Sequence, residues 1–271
     1  MKNDSLGDRM KMLERIGSAR LIPLLPVMVR LDGKNFHNFT KGLERPYDQR
    51  LSDLMIETTR YLVEETNARI GYTQSDEITL MWMSTTYKSE LFMGGKPSKI
   101  ISILAAMASV YFNKKLAEYL PEKSEQSPIF DCRIWNLPTK EEVVNALIWR
   151  EQDAVRNSIQ MAGQSQFSHR QLQNQSCDQI QEMLFQGAGI NWNDYPDFFR
   201  RGTYVRSVRH NEPFTVEEIE SLPEKHDARK NPDLVIERRI VEQIKMPILT
   251  KVVNRIGVIF DGEEPVLADL K

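Results

Sequence analysis

Two short acidic segments hold the residues best suited to chemistry. The first is Asp32-Gly-Lys-Asn-Phe-His37, and the second, further along, is Gln74-Ser-Asp-Glu77. Asp32 and Asp76 are hard oxygen donors. Carboxylates on adjacent strands can bridge a pair of Mg²⁺ ions roughly 3.5–4 Å apart, one activating an attacking hydroxyl and the other stabilising the leaving oxygens of a phosphoryl displacement. No His or Cys cluster accompanies them, which favours magnesium over zinc. Gly33 lets backbone approach a ligand closely, Lys34 and Asn35 are polar donors, and Phe36 offers a ring on which a base could stack. His37 is one of 4 histidines. Each residue also has a plainer reading. Asp-Gly at a strand end is commonly a turn, Ser-Asp at a hairpin tip commonly closes an Asx turn, and a histidine beside a phenylalanine is commonly packed.

Bringing the two segments together requires particular elements. Val27, Val29 and Leu31 alternate with Met28, Arg30 and Asp32, the period-2 pattern of a half-buried strand stopped at Gly33. Leu51, Leu54, Met55, Thr58, Leu62 and Val63 form the stripe of an amphipathic helix from about Asp48 to Thr66. Arg69 to Thr73 and Ile78 to Trp82 read as a hairpin across Gln74–Glu77. Ser98 is a candidate cap for a helix continuing to Pro121, and Phe130, Cys132 and Ile134 alternate in a last strand before Pro138. The order is β-α-β-β-α-β, an α+β, ferredoxin-like split βαβ arrangement. A right-handed crossover makes the first two strands parallel with the third between them. Asp32 and the hairpin tip then share one sheet edge.

Pro138 is the expected boundary between a catalytic domain over residues 1–137 and a C-terminal α/β extension over residues 138–271. The second part opens on Thr139-Lys-Glu-Glu142, a capping-box pattern, for a helix running toward Ile159. A further helix over Ser176 to Phe185 ended by Gly187, and strands over Thr203 to Val208 and Leu234 to Val241, are expected, separated by the Pro- and charge-rich stretch from Glu212 to Pro232.

Composition narrows the class. The chain has 271 residues, 36 Lys+Arg against 38 Asp+Glu, a net charge of −2, 41% hydrophobic residues and 2 cysteines. Cys132 and Cys177 lie outside any zinc or CxxC spacing. No apolar run approaches the ~18–20 residues of a bilayer span, and the polar N-terminus lacks a secretory h-region. A soluble cytoplasmic protein without membrane contact is expected. Near-neutrality argues against a polycation coating nucleic acid but allows local patches. Arg200-Arg-Gly-Thr-Tyr-Val-Arg-Ser-Val-Arg-His210 is such a patch, a candidate phosphate track with Tyr204 available for stacking; the competing reading is an exposed strand whose charges block edge pairing.

The ordered motifs Arg30-Leu-Asp-Gly-Lys-Asn-Phe-His37, Gln74-Ser-Asp-Glu77, Ser109-Val-Tyr-Phe-Asn113 and Trp149-Arg-Glu-Gln-Asp153 resemble those of the tRNA-His guanylyltransferase family, over most of the chain from about Leu13 to Tyr204. The resemblance implies a polymerase-palm-like catalytic domain, a homotetramer, and template-dependent 3′-to-5′ nucleotide addition to the 5′ end of tRNA. It implies two Mg²⁺ held by Asp32, the Gly33 carbonyl and Asp76, with Glu77 supporting the metal shell. The incoming GTP or other nucleoside triphosphate would lie against Asp32 to His37 and Ser75-Asp76. The family's activating ATP site maps onto Arg45-Pro-Tyr-Asp48, where Arg45 keeps a phosphate-binding cation, and onto Lys96 and Lys99 near a helix N-terminus. The family's eukaryotic motif His-Ile-Asn-Asn-Leu-Tyr-Asn is replaced here by Val155-Arg-Asn-Ser-Ile-Gln-Met161, in which Asn157 alone is kept. That departure implies the bacterial and archaeal branch, which favours repair of 5′-truncated tRNA over strict addition of guanylate to tRNA-His. Competing readings are a palm-type nucleotide cyclase and a non-catalytic RNA-recognition module sharing the same element order.

Overall fold

The computed structural model describes residues 5–16, 19–231 and 233–268. Residues 1–4, the start of the N-terminus read as lacking a leader, and Pro232 lie outside the described residues. In chain order the main elements are α1 (Ser5–Ile16), β1 (Val27–Gly33), α2 (Phe36–Phe39), α3 (Gln49–Thr66), β2 (Ile70–Gln74), β3 (Glu77–Trp82), α4 (Pro97–Tyr119) and β4 (Phe130–Asn136). They continue with α5 (Lys140–Gln166), α6 (His169–Leu172), α7 (Cys177–Ala188), α8 (Asp197–Arg201), β5 (Thr203–Pro213), α9 (Val216–Ser221), α10 (Asp227–Lys230) and β6 (Val235–Ile244).

Alternation along the strands divides the sheet into two faces. Val29, Leu31, Ile78 and Leu80 point to α3 and α4, where they pack with Leu54, Leu62, Leu104 and Phe112. Met28, Ile70, Tyr72 and Met81 point the other way and are covered by Val143, Val144 and Leu147 of α5 and by the C-terminal Leu249, Val252 and Phe260. The sheet order is β4-β1-β3-β2-β5-β6. β1 and β2 are each antiparallel to β3, hence parallel to one another, so the first four strands have the expected ferredoxin-like arrangement. β5 adds to the β2 edge from Ile70↔Arg206 to Thr73↔Thr203 and continues with β6 as a two-stranded ribbon to Pro213↔Val235. One sheet therefore draws strands from both sides of Pro138.

Several local readings are adjusted. Lys96, not Ser98, takes the N-cap of α4, because Pro97 occupies the first turn, where its fixed φ suits the helix and its missing N–H costs nothing. By length and composition α4 could cross a membrane, contrary to the reading that no segment approaches a span. In the fold it is a core helix, with Ile100, Leu104, Ala108, Phe112 and Leu116 buried against the sheet. Thr139 caps α5 by accepting from the Glu142 amide at 3.2 Å, but the Glu142 carboxylate turns to Asn145 and leaves the box half-made. α5 runs to Gln166, past Ile159, because Ile159 and Ala162 pack in one cluster with Ile180 and Leu184 of α7. α7 ends at Gly189, which has φ 66, rather than at Gly187. The stretch after Glu212 contains α9 and α10.

Candidate active site

The strand register sets acids side by side. Asp32, near the end of β1, is paired across to Glu77 on β3 and to Asp131 on β4. The Gly33 amide donates to the Asp76 carbonyl at 3.1 Å, tying the hairpin turn to the strand end. The sheet edge thus gathers Asp32, Asp76 and Asp131. Asp131 was not picked out by motif; its signal was its outward position in the alternating Phe130–Ile134 run, which only the β1–β4 register turns into a neighbour of Asp32.

Electrostatics follow from this crowding. Burial and then the charge of Asp131 push the Asp32 carboxyl above its ordinary pKa, while Arg30, Arg133 and Arg150 pull the other way. Burial and then the Asp32 charge raise Asp76. Among the described residues neither Asp32 nor Asp76 is in an ion pair, whereas Arg30 and Arg150 are directed at Glu77, at 3.7 and 3.0 Å. A repelling, unneutralised carboxylate pair is stabilised by a divalent cation, and its oxygen donors fit Mg²⁺. Among the described residues no three His, Cys, Asp or Glu side chains are placed to hold a metal ion together, so a backbone carbonyl such as that of Gly33 would have to complete the set. Glu77, expected to support the metal shell, is paired with Asp32 across the strands. It is buried among arginines, and burial pushes its carboxyl up to about 7 against the pull of Arg150 and Arg30.

Beside the acids lies a cleft of about 320 Å³ lined by His37, Arg45, Asp48, Ser75 and Asn157, all singled out in the sequence. Tyr47, Phe198 and Phe199 form an aromatic wall that motif reading missed; the edge-on contact of Tyr47 and Phe198, with centroids 5.2 Å apart, braces it. Ser75, at φ 50, joins the cleft to Asp76. Asp48 is buried and already engaged. Its oxygens accept from the Arg50 amide at 3.1 Å, the Arg50 guanidinium at 2.7 and 3.0 Å and the Glu44 amide at 3.3 Å. It caps α3 and shapes the cleft rather than offering a free ligand.

Other expected site residues fall elsewhere. The Phe36 ring is buried against Phe39, Phe112 and Phe130 and offers no face to a base. Lys34 and Asn35 are exposed, Asn35 with φ 58 at the start of α2. Lys96 and Lys99 sit by the N-terminus of α4, where Ile100 packs near Val27 and Trp82. That is the opposite end of β1 from Asp32, about 17 Å away at ~3.4 Å per residue, so one chain does not bring these lysines to the cleft. The arginine-rich track is also corrected. Tyr204 is buried, and Arg206 is held by Glu242 at 2.9 Å, Glu264 at 2.5 Å and the carbonyls of Gly262 and Glu263. Arg200 and Arg201 pair with Asp197, and Arg209 with Glu237. Acids that the segment itself lacks neutralise it from α8, β6 and the C-terminal segment.

Comparison with known proteins agrees with this geometry. A family model described as tRNAHis guanylyltransferase matches residues 7–138. A bacterial tRNA(His) guanylyltransferase (Thg1)-like protein in complex with ATP superposes with a TM-score of 0.76 at 33% identity, covering 94% of this chain and 99% of that one. One in complex with GTP gives a TM-score of 0.68 at 32% identity, covering 92% and 95%. An uncharacterised protein of Acanthamoeba polyphaga mimivirus is 32% identical over 226 residues, 75% of this chain and 77% of that protein. An antiparallel sheet backed by two helices, with carboxylates at one end, defines a palm-like nucleotidyltransferase. Within that class, the chain belongs to the tRNAHis guanylyltransferase family.

Proposed function

We propose that the protein extends the 5′ end of tRNA in the 3′-to-5′ direction, copying the 3′ template strand after ATP-dependent adenylylation of the 5′ phosphate. The observation that carries this reading is the convergence of His37, Arg45, Ser75 and Asn157 on one aromatic-walled cleft adjoining Asp32 and Asp76. Arg45 and the polar side chains suit a triphosphate, and Tyr47, Phe198 and Phe199 suit a base. In the first step an oxygen of the tRNA 5′ phosphate attacks the α-phosphorus of ATP and pyrophosphate leaves. In the second, the 3′-hydroxyl of a bound GTP or other nucleoside triphosphate attacks the activated phosphate and AMP leaves. Asp32, the Gly33 carbonyl and Asp76 would hold two Mg²⁺, which when bound supply Lewis-acid stabilisation of the phosphoryl oxygens. His37 and Ser75 orient the triphosphate, and Glu77, through Arg30 and Arg150, keeps the strand ends aligned.

A cytoplasmic homotetramer is part of this proposal. Lys96 and Lys99 would then serve a neighbouring subunit's nucleotide.

The test is incubation with 5′-truncated, 5′-phosphorylated tRNAs, ATP and each nucleoside triphosphate in turn. Addition of the nucleotide complementary to the 3′ template on several tRNAs is expected. Guanylate addition restricted to tRNA-His would overturn the repair reading, and consumption of nucleotides without tRNA would point to a cyclase. Asp76→Ala should abolish both adenylylation and addition.

A further inference from the structure

Trp149 belongs to none of the hydrophobic clusters of the fold and is 51% exposed, on the side of α5 that borders the acidic sheet end. The Arg150 guanidinium lies 4.0 Å from its ring centroid and that of Arg30 lies 6.0 Å away. Arg150 is buried and fixed by Glu77 and Asp153, so it holds the indole in place while half of the residue faces solvent. Arg30 shares a strand face with Asp32, two residues on, and is paired across β4 with the exposed Arg133. An anchored aromatic surface, then guanidinium groups, then carboxylates therefore succeed one another at the same end of the sheet. That sequence of chemistries is complementary to a nucleotide at a strand terminus: a flat base, an anionic phosphate, and the metal that acts on it.

Resting on the reading of the protein as a 5′-end nucleotidyltransferase, we propose that Trp149 is the platform on which the terminal 5′ base of the RNA stacks, directing its phosphate toward Asp32 and Asp76. Stacking tolerates any base, because every base has a π face. It therefore suits an enzyme that must extend 5′ ends of differing sequence.

The experiment compares full-length wild-type protein with Trp149→Ala and Trp149→Phe on a 5′-truncated, 5′-phosphorylated tRNA. Trp149→Ala is expected to raise KM for tRNA roughly 5- to 150-fold, the range of one lost base–aromatic stack, with KM for ATP and for the incoming nucleotide within about twofold of wild type. Trp149→Phe should recover most of the loss. Independently of turnover, tRNA should quench the tryptophan emission of wild type, and the quench should shrink in Trp149→Phe. An unchanged KM for tRNA in Trp149→Ala overturns the proposal, as does a rise confined to the nucleotide KM or a change in oligomeric state on gel filtration. Wild-type protein that extends no tRNA would show that the underlying reading has failed, and this proposal with it.

Discussion

Gly33 is where the fold and the acidic sheet edge meet, and Gly33→Ala tests how tightly they are joined. A Cβ there would lie 2.3 Å from Phe36 Cδ2, 2.5 Å from Cγ and 2.6 Å from Cε2. The ring cannot retreat, because Phe39, Phe112 and Phe130 enclose it at centroid distances of 5.1, 5.6 and 5.1 Å. Overpacking of this kind costs about 1–3 kcal/mol, and three clashing ring atoms place Gly33→Ala toward the upper end. Phe36→Ala alone should cost about 3–5 kcal/mol through lost burial and a cavity. In the double variant the clashing atoms are gone and the added methyl occupies part of the void. The double variant should therefore be no less stable than Phe36→Ala, a coupling of about 1–3 kcal/mol. Urea unfolding of the four proteins measures the cycle, and nucleotide addition measured in parallel should fall in Gly33→Ala as Lys34 to His37 shift with the displaced ring. Additivity of the two costs to within ~0.5 kcal/mol would refute the steric account and leave Gly33 with no role beyond its carbonyl.

Three more outcomes follow from the same contacts. Asp48→Ala should destabilise the protein by about 0.5–2 kcal/mol, the usual range for a lost N-cap. Its hydrogen bonds from Arg50 hold the Asp48 carboxyl below the ordinary value, so its contribution is complete above the unfolded pKa of ~3.9 and is lost as pH falls through the lower folded value. Denaturation midpoints of wild type and Asp48→Ala should therefore converge only below about pH 4. Burial raises the Glu151 carboxyl, so the folded protein binds a proton more readily than the unfolded chain. Wild type should lose stability relative to Glu151→Gln as pH rises above ~4.5, and parallel pH profiles by thermal melting would contradict this. Arg206→Ala should loosen the segment near Glu264, seen as faster amide exchange there, yet leave the salt dependence of tRNA binding unchanged; a drop of about one in the slope of log K against log salt would restore Arg206 as a phosphate contact.

The four-stranded half of the sheet was legible because its signals are local. Val29 and Leu31 alternate with Arg30 and Asp32 within one strand, and Ser75-Asp76 is bounded by residues that pair with each other, Gln74 and Glu77. Adjacency of Asp32 and Asp76 then follows from topology alone. What stayed hidden depends on partners far away in the chain. Arg206 looks like a free cation in its own segment, but its carboxylate partners are 36 and 58 residues on. Lys96 and Lys99 sit at a helix N-terminus, which is a sound phosphate signal, yet which end of the sheet that terminus reaches is set by the direction in which α4 packs. Phe36 could not be told from a stacking residue until the ring cluster of Phe39, Phe112 and Phe130 closed around it.

The two faces of the sheet explain why the chemistry collects where it does. On the α3 and α4 face, β1 and β3 contribute Val29, Leu31, Ile78 and Leu80, all fully buried, and an ionised group there would lose its hydration with nothing to replace it. On the α5 face apolar cover ends before the strands do. Met28 and Met81 lie under Val143 and Leu147, but the next outward positions are Arg30, Thr79, Glu77 and Asp32, beyond the reach of that cluster. Charges survive there because they are partly hydrated or paired, as Glu77 is with Arg150. Asp32 and Asp76 stand at the limit of this gradient, buried enough to feel one another and, among the described residues, without an ion-pair partner. An intermediate degree of burial, set by where α5 stops covering β1, makes those carboxylates costly to leave bare and receptive to a cation. Extending the apolar cover by Arg30→Met should therefore remove the more distant of the two guanidinium groups that face Trp149 and leave Glu77 dependent on Arg150. Addition should be weakened, with folding stability changed by less than about 2 kcal/mol, and unaltered addition by a folded Arg30→Met protein would show that the hydrated, charged end of this face is not needed for the reaction.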